Sequence, residues 1–343
     1  MTAPRAITRP VVLVTGAGGQ LGSELLRASW GSRVEVCGYG SAGLDITNQA
    51  AVDAVVDGLR PSVIVNAAAY TKVDRAEDEP LRAEAVNATA VKTLAQAANQ
   101  VDAQLIHVST DYVFDGTKPG WYVETDPINP LGVYGRTKAA GEEAAEQAER
   151  LVVLRTAWVY GALGPNFVTT MLRLAGERDE IGVVNDQVGC PSAAGDLARA
   201  IVEVVGRTDY GNRPPPRRLY HLAGPDAMTW FDFAQAVFRH SRSGFDGNCR
   251  PLTTAQYPTR ARRPANSRLD SSLLEDHLGV ALAPFDQALS AVVAELETGT
   301  GRQGNRTDST RPAGSTGSQP GPAPGPSPRP LSGRDRVEPR RQP

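Results

Sequence analysis

The segment Val11-Val-Leu-Val-Thr-Gly16-Ala-Gly18-Gly19-Gln-Leu-Gly22 constrains the chain more than any other. An apolar run passes directly into closely spaced glycines, and an amphipathic stretch over 21–28 follows. That order predicts a strand, a tight turn and a helix whose first N–H groups face an anion. Gly16 permits the turn, Gly19 lets a pyrophosphate approach the backbone, and Gly22 lets the helix pack closely on the sheet. A glycine pattern alone is weak evidence; the strand before it and the helix after it supply its context.

The same alternation continues. Further strands are expected over 34–38, 63–67, 104–109 and 151–156, with helices over 50–58, 83–99 and 134–149. The runs are continuously apolar rather than alternating, as in parallel strands covered on both faces. The expected fold is therefore α/β, a doubly wound, Rossmann-like parallel sheet that binds ligands at the carboxyl ends of its strands. Residues 1–160 form the dinucleotide-binding domain. Residues 161–297, with helices over 166–175, 193–205, 230–241 and 285–297, form a smaller mixed α/β substrate domain. Elements around 185–220 are expected to return to the first domain.

From residue 298 to 343 there are nine prolines, eight arginines, three acidic residues and no aromatic residue. Such a segment buries too little apolar surface to offset its ordering entropy, so a disordered tail is expected. The whole chain carries a formal charge of only −2, which argues against nucleic acid or a membrane surface as partner. No apolar run reaches the ~18 residues of a membrane span, and residues 1–10 have no signal-peptide core. Three cysteines, Cys37, Cys190 and Cys249, have no metal-ligand spacing, and no metal cluster is evident. A disulfide-free cytoplasmic protein is expected. The oligomeric state stays open, a homodimer included.

Tyr134-Gly-Arg-Thr-Lys138 sets a phenol and an ammonium on one helix face. A free tyrosine titrates near pH 10, and a neighbouring cation favours its phenolate. Tyr134 can then give a proton to a carbonyl oxygen that is receiving hydride, with Lys138 lowering its pKa. The strand end Leu105-Ile-His-Val-Ser109-Thr110-Asp111 offers two hydroxyls, Ser109 and Thr110, to orient that carbonyl. His107 alternates inside this strand and reads as a packed core residue. Cofactor choice is not legible: the second strand ends in Tyr39-Gly40-Ser41, with neither the acid that grips a ribose 2′-OH nor an arginine for a 2′-phosphate. NADPH and NADH are both admitted.

The Gly-x-x-Gly-x-x-Gly spacing resembles that of extended short-chain dehydrogenases/reductases. Within that group the chain resembles the dTDP-4-dehydrorhamnose reductase family from about Val11 to Leu296. The likeness rests on Asn66-Ala-Ala-Ala-Tyr-Thr-Lys-Val-Asp74, Ser109-Thr-Asp-Tyr-Val-Phe-Asp-Gly116 and Pro130-Leu-Gly-Val-Tyr-Gly135. It continues through Arg155-Thr-Ala-Trp-Val-Tyr160, Asn185-Asp-Gln-Val-Gly189 and Tyr257-Pro-Thr-Arg-Ala-Arg-Arg-Pro264. The resemblance implies that Gly19, Gln20 and Leu21 hold the pyrophosphate, that Asp45 and Ile46 sit by the adenine, and that Ala69, Tyr70 and Thr71 line the cofactor. It selects Thr110 over Ser109 as the third catalytic residue. It also implies that Thr110, Asp111 and Trp158 face a nucleotide-sugar substrate, with Val73 nearby. Trp158 suits a flat apolar wall. Asn166 and Arg263 are candidates for the diphosphate, with Arg260, Arg262 and Arg268 competing. The inter-subunit metal site reported for the family is not traced here.

The implied reaction reduces the C4 ketone of dTDP-4-dehydro-L-rhamnose to give dTDP-L-rhamnose. The alternatives are another dTDP-4-keto-6-deoxysugar reductase, a nucleotide-sugar dehydratase or epimerase, and a non-catalytic subunit like the methionine adenosyltransferase β subunit. In a dehydratase, Asp-Glu follows the threonine; here Tyr112 follows Asp111.

Overall fold

A computed structural model describes residues 9–299. The tail expected to be disordered lies outside them from residue 300 onward.

Six strands form the central sheet: β1 (Val11–Thr15), β2 (Glu35–Tyr39), β3 (Val63–Asn66), β4 (Gln104–Thr110), β5 (Leu151–Thr156) and β6 (Leu219–His221). Their order is β6-β5-β4-β3-β1-β2 and every pairing is parallel. The order reverses beside β1, which opens a crevice at the carboxyl ends of the strands. β3 and β5 are buried at every position, as two-sided cover demands. The doubly wound sheet expected from the apolar runs is the one observed.

One face of the sheet carries α2 (Gln49–Leu59) and α3 (Ala90–Gln100), packed on Leu13, Ile64 and Leu105. The opposite face carries α1 (Gln20–Arg27) and the helix Ala194–Arg207, whose Leu197 and Ile201 join Val12, Val14 and Leu25 in one core. A separate aromatic core forms where α5 (Phe167–Ala175) meets the helices Trp230–His240 and Phe285–Thr298, around Tyr160, Phe233 and Phe285.

The helix expected over 83–99 starts earlier and is not uniform. It begins at Pro80 and passes through a π-helical turn, Ala85–Thr89, before α3. Wide turns of this kind gather at functional sites. This one sets the Asn87 carbonyl so close to Gly141 that any Cβ there would overlap it. It also points the Asn87 amide at the loop after β3, accepting from Tyr70 N at 2.8 Å and donating to Thr137 Oγ1 at 3.0 Å. Sequence periodicity carries no signal for such a turn. The short helices Val73–Ala76 and Ser272–Leu278 were likewise not expected.

Candidate active site

The glycine turn takes the shape that its residues dictate. Gly16 has φ +71°, and a Cβ there would press on the backbone of Ala67 and Ala68. Gly22 packs so tightly on the Gly16 carbonyl that no side chain fits between them. Gly22 thus sits behind the turn and holds α1 against it, while Gly16, Gly19, Gln20 and Leu21 line a cleft of about 810 Å³. A Cβ on Gly18 would meet nothing within 4 Å, and no side chain caps α1. The helix N-terminus therefore presents bare N–H groups to the cleft, an anion site by construction.

The cleft continues past Asp45 and Ile46, then along Ala69, Tyr70, Thr71 and Val73. Asp45 is not free: its Oδ1 accepts from Thr47 N and Thr47 Oγ1 at 2.9 and 2.7 Å, which holds its carboxyl below the usual range. At the far end stand Thr110, Asp111, Tyr134, Lys138 and Trp158. These come from the end of β4, from α4 (Val133–Ala145) and from the turn after β5, three segments brought together by strand pairing and by the packing of α4 on β4.

Tyr134 and Lys138 sit one helical turn apart on α4, and the Tyr112 ring meets the Tyr134 ring edge-on at 5.3 Å. Burial pushes the Tyr134 phenol above its ordinary pKa, while a hydrogen bond with Thr110 pulls the other way. Thr110 Oγ1 also donates to Asp111 Oδ1 at 3.0 Å. Asp111 Oδ2 is buried with no hydrogen-bond partner. Burial raises the Asp111 carboxyl to about 6, against smaller opposing pulls from Ser267 and Thr110. The rival hydroxyl is committed elsewhere: Ser109 donates to Glu142 at 2.5 Å, and Glu142 grips Arg155 through two hydrogen bonds of 2.9 and 2.7 Å.

Lys138 is 1% exposed. Its Nζ donates to Val108 O at 2.7 Å and lies 3.4 Å from His107 Nε2. Burial pushes the Lys138 pKa down to about 8, and Glu142 works against that. The sequence reading has Lys138 lower the Tyr134 pKa as a neighbouring cation; its hydrogen bonds run to β4. His107, read from the sequence as a packed core residue, is indeed fully buried, but its ring abuts the lysine. Only the register of β4 against α4 shows this.

Trp158 has φ +48°, a left-handed conformation that is costly for a large side chain. The reason is packing: its indole stacks on Trp230 at 3.5 Å and lies over Gly189, where a Cβ would collide with it. Trp230 was not anticipated as part of this wall, because 72 residues separate it from Trp158.

Two expected substrate residues do not line the cleft. The Asn166 amide caps α5, with Oδ1 accepting from Thr169 N at 3.2 Å and Nδ2 donating to Gly161 O at 2.7 Å. Arg263 Nη2 donates to Asp74 Oδ2 at 2.6 Å, leaving Nη1 buried and unpartnered beside Tyr112. Of its competitors, Arg260 pairs with Asp78 and Arg268 with Asn266 and Pro119 O. Among the described residues no group of three or more His, Cys, Asp or Glu could hold a metal ion. No helix among them is long and apolar enough to cross a membrane.

A parallel doubly wound sheet, an anion-binding glycine turn at one end of its crevice and a Tyr-x-x-x-Lys pair at the other, its lysine buried and its tyrosine half-buried, define an extended short-chain dehydrogenase/reductase. Residues 10–298 match the family model described as the RmlD substrate binding domain. A dTDP-4-dehydrorhamnose reductase of Aggregatibacter actinomycetemcomitans is 44% identical over 298 residues, covering 83% of this chain and 99% of its own length. Among solved structures, a dTDP-4-dehydrorhamnose reductase of Clostridium acetobutylicum superposes with a TM-score of 0.78 at 38% identity, covering 84% of this chain and 99% of that one. One from Bacillus anthracis, in complex with NADP, gives 0.78 at 35% identity over the same shares. The chain belongs to the dTDP-4-dehydrorhamnose reductase family.

Proposed function

We propose that this protein reduces the C4 ketone of dTDP-4-dehydro-L-rhamnose with NADPH or NADH to give dTDP-L-rhamnose, the last step of dTDP-rhamnose synthesis. The observation that carries this reading is one cleft with a bare helix N-terminus at one end and Tyr134, Thr110, Asp111 and Trp158 gathered at the other. Residues 1–160 serve mainly the cofactor and residues 161–297 mainly the sugar nucleotide. The free thiols of Cys37, Cys190 and Cys249 suit the cytoplasm, where the protein acts as a monomer or homodimer.

The cleft fits a dinucleotide. Gly16, Gly19, Gln20 and Leu21 cradle the pyrophosphate, Asp45 and Ile46 flank the adenine, and Ala69, Tyr70 and Thr71 line the stretch toward Lys138. When bound, the reduced nicotinamide supplies the hydride. Tyr134 gives its phenolic proton to the oxygen at C4. On binding, Thr110 turns its single hydroxyl proton from Asp111 to that same oxygen and fixes its place relative to Tyr134, and the Lys138 charge eases loss of the phenolic proton through space. Asp111 accepts from a sugar hydroxyl through its unpartnered Oδ2, Trp158 supplies the flat wall, and Val73 borders the sugar. Asn166 acts indirectly by shaping the loop before α5, and Arg263 acts indirectly by holding Asp74.

The test follows cofactor absorbance at about 340 nm with dTDP-4-dehydro-6-deoxy-D-glucose, the separate 3,5-epimerase and NADPH or NADH. General acid catalysis contributes roughly 10²–10⁴-fold, so Tyr134→Phe is expected to lose most of the rate. Epimerase-independent oxidation would redirect the reading to another keto-sugar. Tight cofactor binding without turnover of any dTDP-keto-sugar would favour a regulatory subunit.

A further inference from the structure

A buried polar chain runs beneath Lys138 that the reaction outlined above does not use. Thr15 Oγ1 donates to Asn66 Oδ1 at 2.7 Å, and Ala68 N donates to the same oxygen at 3.1 Å. A backbone N–H is only ever a donor, so Asn66 Oδ1 is fixed as the acceptor and Nδ2 must face the other way. It faces His107 Nδ1 at 3.1 Å. An amide nitrogen donates, so Nδ1 accepts, and the ring proton of neutral His107 sits on Nε2. His107 is neutral because burial, followed by the Lys138 charge, holds its pKa well below the ordinary value. Nε2 lies 3.4 Å from Lys138 Nζ, so an N–H points at an ammonium. Two donors face each other across 3.4 Å, too short a separation for a water between them.

We propose that His107 is a positioning residue for Lys138: locked by Asn66 as the Nε2–H tautomer, it turns the ammonium hydrogens toward Val108 O and the cleft and makes the ammonium proton easy to remove. This rests on the reading that the Lys138 charge eases loss of the Tyr134 phenolic proton. Four other groups bear on the same ammonium. Glu142, one turn along α4, favours its charged form, and Arg155 of β5 offsets Glu142 by pairing with it. Tyr134 shares its helix face, and Asp111 stands beyond Tyr134 at the end of β4. His107 is the group in direct polar contact that opposes the charge. Its effect is directional, because the other tautomer would accept a hydrogen bond and hold the proton.

The test needs no sugar nucleotide, so it stands apart from the substrate assignment. The chain has four histidines and four lysines, few enough for residue-selective labelling of the full-length protein. In a long-range ¹⁵N–¹H correlation spectrum, His107 is expected as the neutral Nε2–H tautomer, unchanged between about pH 6 and 9. An Nδ1–H or doubly protonated His107 would overturn the proposal. The second arm titrates the Lys138 ε-carbon resonance in the parent protein and in Asn66→Asp. A carboxylate at position 66 can only accept, so it favours the tautomer with Nδ1–H donating to it and makes Nε2 an acceptor, and the Lys138 midpoint is expected to rise by roughly one pH unit. An unmoved midpoint in a folded Asn66→Asp protein would refute the tuning role. Should that variant fail to fold, the tautomer of the parent protein decides alone.

Discussion

The Trp158 indole lies on that of Trp230 with ring centroids 3.5 Å apart and planes 7° from parallel, at a backbone φ of +48° for Trp158. The left-handed conformation costs roughly 1–3 kcal/mol, and an aromatic pair returns about 0.5–1.5 kcal/mol beyond its buried area. Close packing over Gly189 adds to that return and keeps the wall rigid.

Trp230→Leu removes the stack without touching the cleft. The KM for the sugar nucleotide is expected to rise several-fold while the KM for NADPH stays within about twofold, since the lost pair is worth only ~1 kcal/mol. Steady-state kinetics with each substrate varied in turn reads this directly. An unchanged sugar-nucleotide KM would mean that Trp158 holds its place without support.

Glu142 and Arg155 form a bidentate pair with side chains 11% and 4% exposed, and Arg155 Nη1 has no hydrogen-bond partner. Breaking such a pair strands a buried charge. Glu142→Gln is expected to cost roughly 3–5 kcal/mol in urea unfolding, whereas Glu142→Leu with Arg155→Met recovers most of that loss. Failure of the double variant to recover would assign the energy to Ser109 and Lys138 instead.

Asp111 makes stability depend on pH with a definite sign. Its folded-state pKa is raised to about 6 from 3.8, so between these values the native state binds more protons than the unfolded state. Stability from this group is present below pH 4 and is lost as pH rises through about 6. Asp111→Asn is therefore expected to raise stability at pH 8 more than at pH 4, by up to roughly 3 kcal/mol, while impairing sugar-nucleotide turnover. Urea denaturation at the two pH values decides the matter. An equal effect at both would show that the carboxyl titrates normally.

Gly22→Ala probes the turn from behind. The added methyl must displace the Gly16 carbonyl, so cofactor affinity is expected to fall by tenfold or more, about 1.4 kcal/mol, with little change in the fold. Cofactor titration by fluorescence or calorimetry checks it. Retained affinity would show that the turn can shift without cost.

Much of the molecule is legible in its residue order because the relevant physics is local. Continuous apolar runs specify parallel strands buried on both faces, and β5 falls at Leu151–Thr156 as the run of apolar residues predicts. Glycine spacing specifies the turn, since φ +71° at Gly16 and the contact at Gly22 admit no side chain. The four-residue step from Tyr134 to Lys138 follows from the helical repeat. Tertiary structure alone decided what each side chain touches. Asn166 became a helix cap, Arg263 a partner of Asp74, and Ser109 a ligand of Glu142. Trp158 found Trp230, and His107 found Lys138 and Asn66. Those partners are tens of residues distant and come together only through strand register and helix packing. A tautomer or a buried carboxyl is set by the low-dielectric surroundings that this packing creates, and no stretch of sequence contains them.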